Sequence, residues 1–228
     1  MKKTLIGLVI SMFWIVSASA DVGARLGVTG NAALYAATAT ELDTGSHGTT
    51  SDFDESQTQS EYLGLMYGSV FAEVGFGPMF VGVDYMPGAI DTEESTTTVG
   101  DKTTSATSTQ VTNKVKVEFE GLTNFYAGVR ILDSFFIKAG TLSVDLNTKE
   151  SLGTGSKYGD ETLDGYTIGV GFQGDVGASS FVRGEYTYTD YDDISLTSSV
   201  ARTGVTTNNK VTGDIDVSQF KVSYGYKF

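Results

Sequence analysis

Apolar and polar positions alternate with a period of two in eight separate stretches of this chain, the mark of strands with one face in each of two environments. The last stretch is the clearest. Phe220, Val222, Tyr224, Tyr226 and Phe228 share one face, and Lys221, Ser223, Gly225 and Lys227 share the other. A strand over 180–191 sets Val182, Gly184, Tyr186 and Tyr188 against Arg183, Glu185, Thr187 and Thr189. One over 164–173 sets Tyr166, Ile168, Val170 and Phe172 against Thr167, Gly169, Gly171 and Gln173. At the other end, a strand over 24–40 places Leu26, Val28 and Leu34 opposite Arg25, Thr29 and Asn31.

The intervening strands are expected over 61–74, 79–86, 113–131 and 135–146, with 210–228 as the eighth. In 61–74, Leu63, Leu65, Tyr67 and Phe71 read as the better lipid face, although Glu73 shares their parity. In 113–131, Val115, Val117 and Phe119 oppose Lys114, Lys116, Glu118 and Glu120, and Phe125, Ala127 and Val129 continue the apolar face. In 79–86, Asp84 lies opposite Val81, Val83 and Tyr85; in 135–146, Lys138 lies opposite Ile137 and Ala139.

The connections alternate in length. Polar, Thr- and Ser-rich segments over 41–60, 88–112, 147–163 and 192–209 take turns with short links near Gly77-Pro78, Asp133-Ser134 and Gly177. An even strand number, long connections on one side and short turns on the other describe an eight-stranded, antiparallel, up-and-down transmembrane β-barrel. A secreted β-sandwich also has short strands and turns, but nothing in it sorts the connections by length.

Lys2 and Lys3, an apolar run over 5–16 and Ala18-Ser19-Ala20 read as a secretory signal peptide cleaved after Ala20. The run is too short for a spanning helix, which needs ~20 apolar residues. Residues 21–228 then form one barrel domain. The net charge of −13 argues against nucleic-acid binding. There is no Cys, so disulfides do not contribute to stability. The 28 glycines suit a crowded barrel interior, and the 12 tyrosines and 13 phenylalanines suit interfacial girdles.

With its leader, its eight-strand pattern, its Phe220–Phe228 ending and the stretch Val182-Arg183-Gly184-Glu185-Tyr186-Thr187-Tyr188, the chain resembles the small outer-membrane β-barrel proteins of Gram-negative bacteria, of the OmpA transmembrane-domain and OmpX type. The resemblance covers the mature chain as a pattern and includes no long diagnostic motif. It implies an outer-membrane location and contact with lipid and lipopolysaccharide. It also implies that the terminal aromatic face, Phe220, Val222, Tyr224, Tyr226 and Phe228, is read by the barrel-assembly machinery. No periplasmic domain is expected after Phe228, so the resemblance does not imply cell-wall tethering.

The candidate chemistry is sparse. His47 is the single histidine, set in a Gly/Ser/Thr-rich segment with no partner fixed beside it. It reads as a solvated loop residue rather than the base of a lipid-modifying barrel enzyme, since a base needs a partner in hydrogen-bond reach. No catalytic residue, cofactor or metal site is expected.

By parity, Arg25, Asp84, Lys114, Lys116, Glu118, Glu120, Lys138, Arg183, Glu185, Lys221 and Lys227 face the lumen. The expected polar plug comprises Arg25, Asp84, Glu118, Glu120, Lys138, Arg183, Glu185 and Lys221. An eight-stranded barrel is only just wide enough for its own side chains, so the charges must pair. They form either a closed plug or a salt-bridge gate that passes small ions. Acidic groups at Asp52–Glu55, Asp91–Glu94, Asp160-Glu161 and Asp190–Asp193 fall in or beside the long connections. They read as a hydrated surface, with divalent-cation binding as the alternative. The expected role is a non-enzymatic, surface-exposed barrel whose loops meet an unidentified ligand, adhesion partner or phage. The alternative is a narrow channel.

Overall fold

A computed structural model of the chain describes residues 22–45, 53–101, 109–152, 157–199 and 208–228. The expected leader and cleavage site, and His47, lie outside the described residues. The described residues form β1 (Val22–Gly45), β2 (Phe53–Phe76), β3 (Met79–Tyr85), β4 (Ala89–Asp91), β5 (Ser95–Asp101), β6 (Thr109–Arg130), β7 (Phe135–Leu152), β8 (Glu161–Val176), β9 (Ser180–Tyr191), β10 (Ile194–Thr197) and β11 (Lys210–Lys227).

The walls run β1-β2-β3-β6-β7-β8-β9-β11, every neighbouring pair is antiparallel, and β11 pairs back onto β1. Eight strands therefore close into a ring. Leu26 lies opposite Tyr226 and Ala32 opposite Phe220 across the closing seam. Closure pairs the backbone polar groups of both end strands, which hydrocarbon requires. The short strands β4 and β5 continue the wall above β3 by pairing with β6, and β10 continues it above β9 by pairing with β11.

The outer face carries a continuous apolar band. Met66 is 83% exposed, Val222 71%, Phe220 67% and Ile168 62%. A patch of this size is untenable in water but suits lipid. The band ends at one level: Tyr62, Tyr166 and Tyr188 are followed on the outer face by Ser60, Asp164 and Asp190. Tyr226 and Phe228 stand at the opposite rim, beside the short turns. Gly77 and Gly177 supply the positive φ that two of those turns need.

Three sequence expectations are revised. First, strands extend into the long connections: β1 and β2 stay paired up to Gly45 and Phe53. Thr and Ser on both faces hid this, because the segment has no apolar face above the bilayer. Second, β2 faces the other way. Phe71 and Glu73 are buried inside, while Tyr62, Met66, Val70 and Val74 face out. Both faces of this strand carry large apolar residues, so only Glu73 marked the interior.

Third, β6 changes parity in mid-strand. Its register slips between Glu120 and Thr123, where Gly121 has φ 67°. A bulge adds one residue and turns every later side chain to the opposite face. Phe119 is buried inside above the bulge, and Asn124 and Tyr126 are buried inside below it. Glu118 and Glu120, expected in the lumenal plug, therefore point outward, as do Lys114 and Lys116.

The interior is layered. Near the turns sit Phe71, Phe80, Phe136 and Phe181, all buried. Above them lies a charged and polar layer. Higher still is an apolar cluster of Ala33, Tyr35, Phe119, Leu142, Val144, Leu163, Tyr191 and Val217.

Candidate functional site in the barrel interior

Four cross-strand pairs build the lower interior. Phe71 lies opposite Gly27, Phe80 opposite Gly128, Phe136 opposite Gly171 and Phe181 opposite Gly225. A Cβ added at any of these glycines would come within 2.2–2.5 Å of the facing ring. Each ring therefore lies flat over a glycine of the next strand, the pairing by which an aromatic covers an otherwise weak strand position. Phe80 meets Phe136 edge-on with centroids 5.5 Å apart, and Phe71 meets Phe181 at 6.2 Å.

The guanidinium of Arg183 sits among these four rings, 5.0–5.9 Å from their centroids. Its two terminal nitrogens donate to both carboxylate oxygens of Glu73 at 2.6 and 2.7 Å. Tyr126 Oη donates to the same carboxylate at 3.0 Å. Arg183 also donates to Gln173 at 2.9 Å and lies 3.4 Å from Glu185. A buried ion pair survives only with such bidentate geometry and further hydrogen bonds.

Lys138 pairs with Glu185 and Lys221 with Asp84, all four side chains being buried. Lys138 also stands 4.5 Å from the Tyr126 ring centroid. Above the charges, Gln219 donates to Asn31 Oδ1 at 3.1 Å and to Tyr67 Oη at 2.6 Å; Thr29 bonds Ser223, the residue opposite Arg183, at 2.8 Å. A cavity of about 20 Å³ lies between this layer and the apolar cluster, large enough for a single water. Asp84 Oδ1 and Asn124 Oδ1, both on its lining residues, have no protein hydrogen-bond partner.

Of the expected plug residues, Asp84, Lys138, Arg183, Glu185 and Lys221 thus come together in the interior, with Arg25 at its lower edge. Glu118 and Glu120 stand outside. Glu73 is the residue that sequence reasoning left out. Its parity with Tyr67 and Phe71 was visible, but the apolar character of those neighbours assigned the face to lipid.

The outer surface above the band is charged. Asp91 pairs with Lys116, Glu94 with Lys114 and Glu118 with Lys149, each at 2.6 Å. The Lys116 ammonium holds the Asp91 carboxyl below its ordinary range, and the Glu118 carboxylate holds the Lys149 ammonium above its own. On the opposite wall, the Asp193 carboxylate, by accepting a hydrogen bond from the Asp214 carboxyl and by its charge, pushes that carboxyl up. Among the described residues no group of three or more His, Asp or Glu is placed to hold a metal.

The upper mouth is strapped. Tyr158 Oη, ahead of β8, and Asn209 Nδ2, ahead of β11, both donate to Glu41 on β1 at 3.1 Å. The Ser199 amide donates to the Lys157 carbonyl at 2.8 Å. The connections from opposite walls therefore meet across the opening.

The chain is similar to solved outer-membrane proteins. OprG from Pseudomonas aeruginosa is similar over 89% of this chain and 96% of its own, with 12% identity and a TM-score of 0.49. Ail of Yersinia pestis, solved with the heparin analogue sucrose octasulfate, is similar over 89% of this chain and 99% of its own, with 11% identity and a TM-score of 0.36. No curated protein sequence matches. The family model described as outer membrane protein beta-barrel domain matches residues 6–228. A closed eight-stranded ring, a lipid-facing band and a match over nearly the whole chain agree, and the protein belongs to the outer-membrane β-barrel domain family of the Gram-negative outer membrane.

Proposed function

We propose that the protein is a non-enzymatic outer-membrane scaffold whose barrel is closed to solutes and whose tall hairpins present a contact surface outside the cell. The observation that supports this most is the Phe71–Phe80–Phe136–Phe181 ring closed around Arg183 and Glu73. The apolar cluster above it and the Glu41 strap add two further layers. The walls beyond the bilayer are long, paired and charged, and such surfaces on a rigid scaffold are where recognition resides. Their mixed lysines and carboxylates suit lipopolysaccharide headgroups, and the hairpin tips suit an adhesion partner or phage. The terminal face, Phe220, Val222, Tyr224, Tyr226 and Phe228, serves as the signal to the assembly machinery.

Single-channel recording on the refolded protein in a planar bilayer is the test. Closed baselines are expected, and resolved conductance steps would overturn the scaffold reading. A narrow channel is the second reading. It is favoured by Arg183 having two carboxylates in reach, Glu73 at 2.6 Å and Glu185 at 3.4 Å, between which it could switch. A His47→Ala variant is expected to leave the phospholipid and lipid A of the host membrane unaltered. An altered lipid profile would point to an enzyme.

A further inference from the structure

We propose that the periplasmic end of the barrel is a binding site for a phosphate-bearing anion, held between Arg25 and Arg130. The short turns and the β1 and β11 ends mark this end as periplasmic. The phenylalanine ring closes it from above, and among the described residues a vestibule lies below that ring.

Charge in the vestibule is out of balance. Arg25 and Arg130 both border the caged Arg183: Arg25 shares Glu73 with it, and Arg130 shares the Phe80 ring with it. Glu73 is the buried carboxylate they share. It is committed to Arg183 through both oxygens, and Arg25 reaches it only at 3.7 Å. Asp175 attracts both outer arginines, but it is exposed and pairs with Lys227 at 2.7 Å.

The hydrogen-bond inventory points the same way. Arg25 Nε and Nη1 and Arg130 Nη2 are buried and donate to no acceptor of the protein. A guanidinium presents five donors in a fixed fork, a shape suited to phosphate and carboxylate. Buried donors left unpaired are costly, so an oxyanion that accepts from both forks would be held strongly. Arg130 stacks 5.4 Å from the Phe80 ring, which fixes one side of the site. Gly75 packs against the Arg25 guanidinium, where a Cβ would lie 3.4 Å from Nη1. A cavity of about 360 Å³, lined by Arg25, Gly75 and Lys227, opens alongside. It has room for a free phosphate or for a lipid headgroup entering from the rim.

The experiment is calorimetric titration of inorganic phosphate into the refolded protein in a nonionic, phosphate-free detergent. Saturable one-to-one binding is expected. Arg25→Gln and Arg130→Gln should each weaken it ~10-fold or more, as losing a charged hydrogen-bond pair does, and Lys149→Gln on the outer wall should not. If either variant fails to fold, the wild-type protein still decides. Its thermal midpoint should rise with phosphate and not with chloride at equal ionic strength. No saturable heat and no such rise would overturn the site, as would binding that survives both arginine substitutions. Competition by phosphatidylglycerol in mixed micelles would support a headgroup as the natural occupant, and phosphate binding without competition would support a free periplasmic anion.

Discussion

Arg183 on β9 and Glu73 on β2 meet across the barrel through two hydrogen bonds of 2.6 and 2.7 Å, inside a cage of four phenylalanines. They are 110 residues apart in the chain. The pair ties two opposite walls at the level where the barrel would otherwise be open.

The two partners should prove energetically coupled. Glu73→Gln leaves a guanidinium buried among aromatic rings, and breaking a buried pair this way costs about 3–5 kcal/mol. The Glu73→Gln/Arg183→Gln double variant should be destabilised less than the sum of the two single variants, since neither charge is then left alone. Urea unfolding of the refolded barrel, followed by heat-modifiable gel mobility, checks both expectations. Additive losses would show that the two residues are not coupled.

Gly128→Ala should destabilise the barrel by roughly 1–3 kcal/mol, the range for overpacking a filled interior. Its Cβ would fall 2.2 Å from the Phe80 ring and 2.7 Å from the Ile137 carbonyl oxygen. Gly64→Ala is the matched control, because a Cβ there meets nothing within 4 Å. The same unfolding assay should place Gly64→Ala at or slightly above wild type, as alanine restricts the unfolded chain.

The Asp193–Asp214 contact on the outer wall predicts a local pH effect. Asp214 is raised by its hydrogen bond to Asp193, so the folded state binds its proton more tightly than the unfolded chain does. Stability at this edge is then greatest at acid pH and falls as pH rises through the elevated value. Hydrogen exchange of the β10 and β11 amides should quicken from pH 4 to pH 7, after correction for intrinsic rates. Asp214→Asn should remove that extra pH dependence. Unchanged protection in the variant would remove Asp214 as its source.

Phe228→Ala separates assembly from stability. Phe228 is 71% exposed on the outer face, so its ring adds little to the packed interior. The variant should refold in detergent with an unfolding midpoint near wild type, while its arrival in the outer membrane of living cells falls. Normal assembly in cells would remove the proposed signal role.

The alternation in 164–173, 180–191 and 210–228 was legible because these strands have an apolar lipid face and a polar or glycine-rich lumenal one. The plug residues Lys138, Arg183, Glu185, Asp84 and Lys221 followed from the same parity. Two strands were misread for opposite reasons. In β2, Tyr67 and Phe71 face the interior while Met66 and Val70 face lipid, so hydrophobicity carried no direction. In β6, the one-residue bulge at Gly121 reversed the faces, and the pattern on either side of it is regular.

Local chemistry by itself determined that this chain forms amphipathic strands, that eight of them make up the wall, and which end carries the turns. Those depend on period, on glycine and proline, and on residues adjacent in sequence. Closure of the ring decided the rest. The pairing of Glu73 with Arg183, each phenylalanine over a facing glycine, and the gathering of Arg25 with Arg130 join residues from different walls. Their partners are set by strand order and register, which depend on the whole barrel closing and on no single stretch of it.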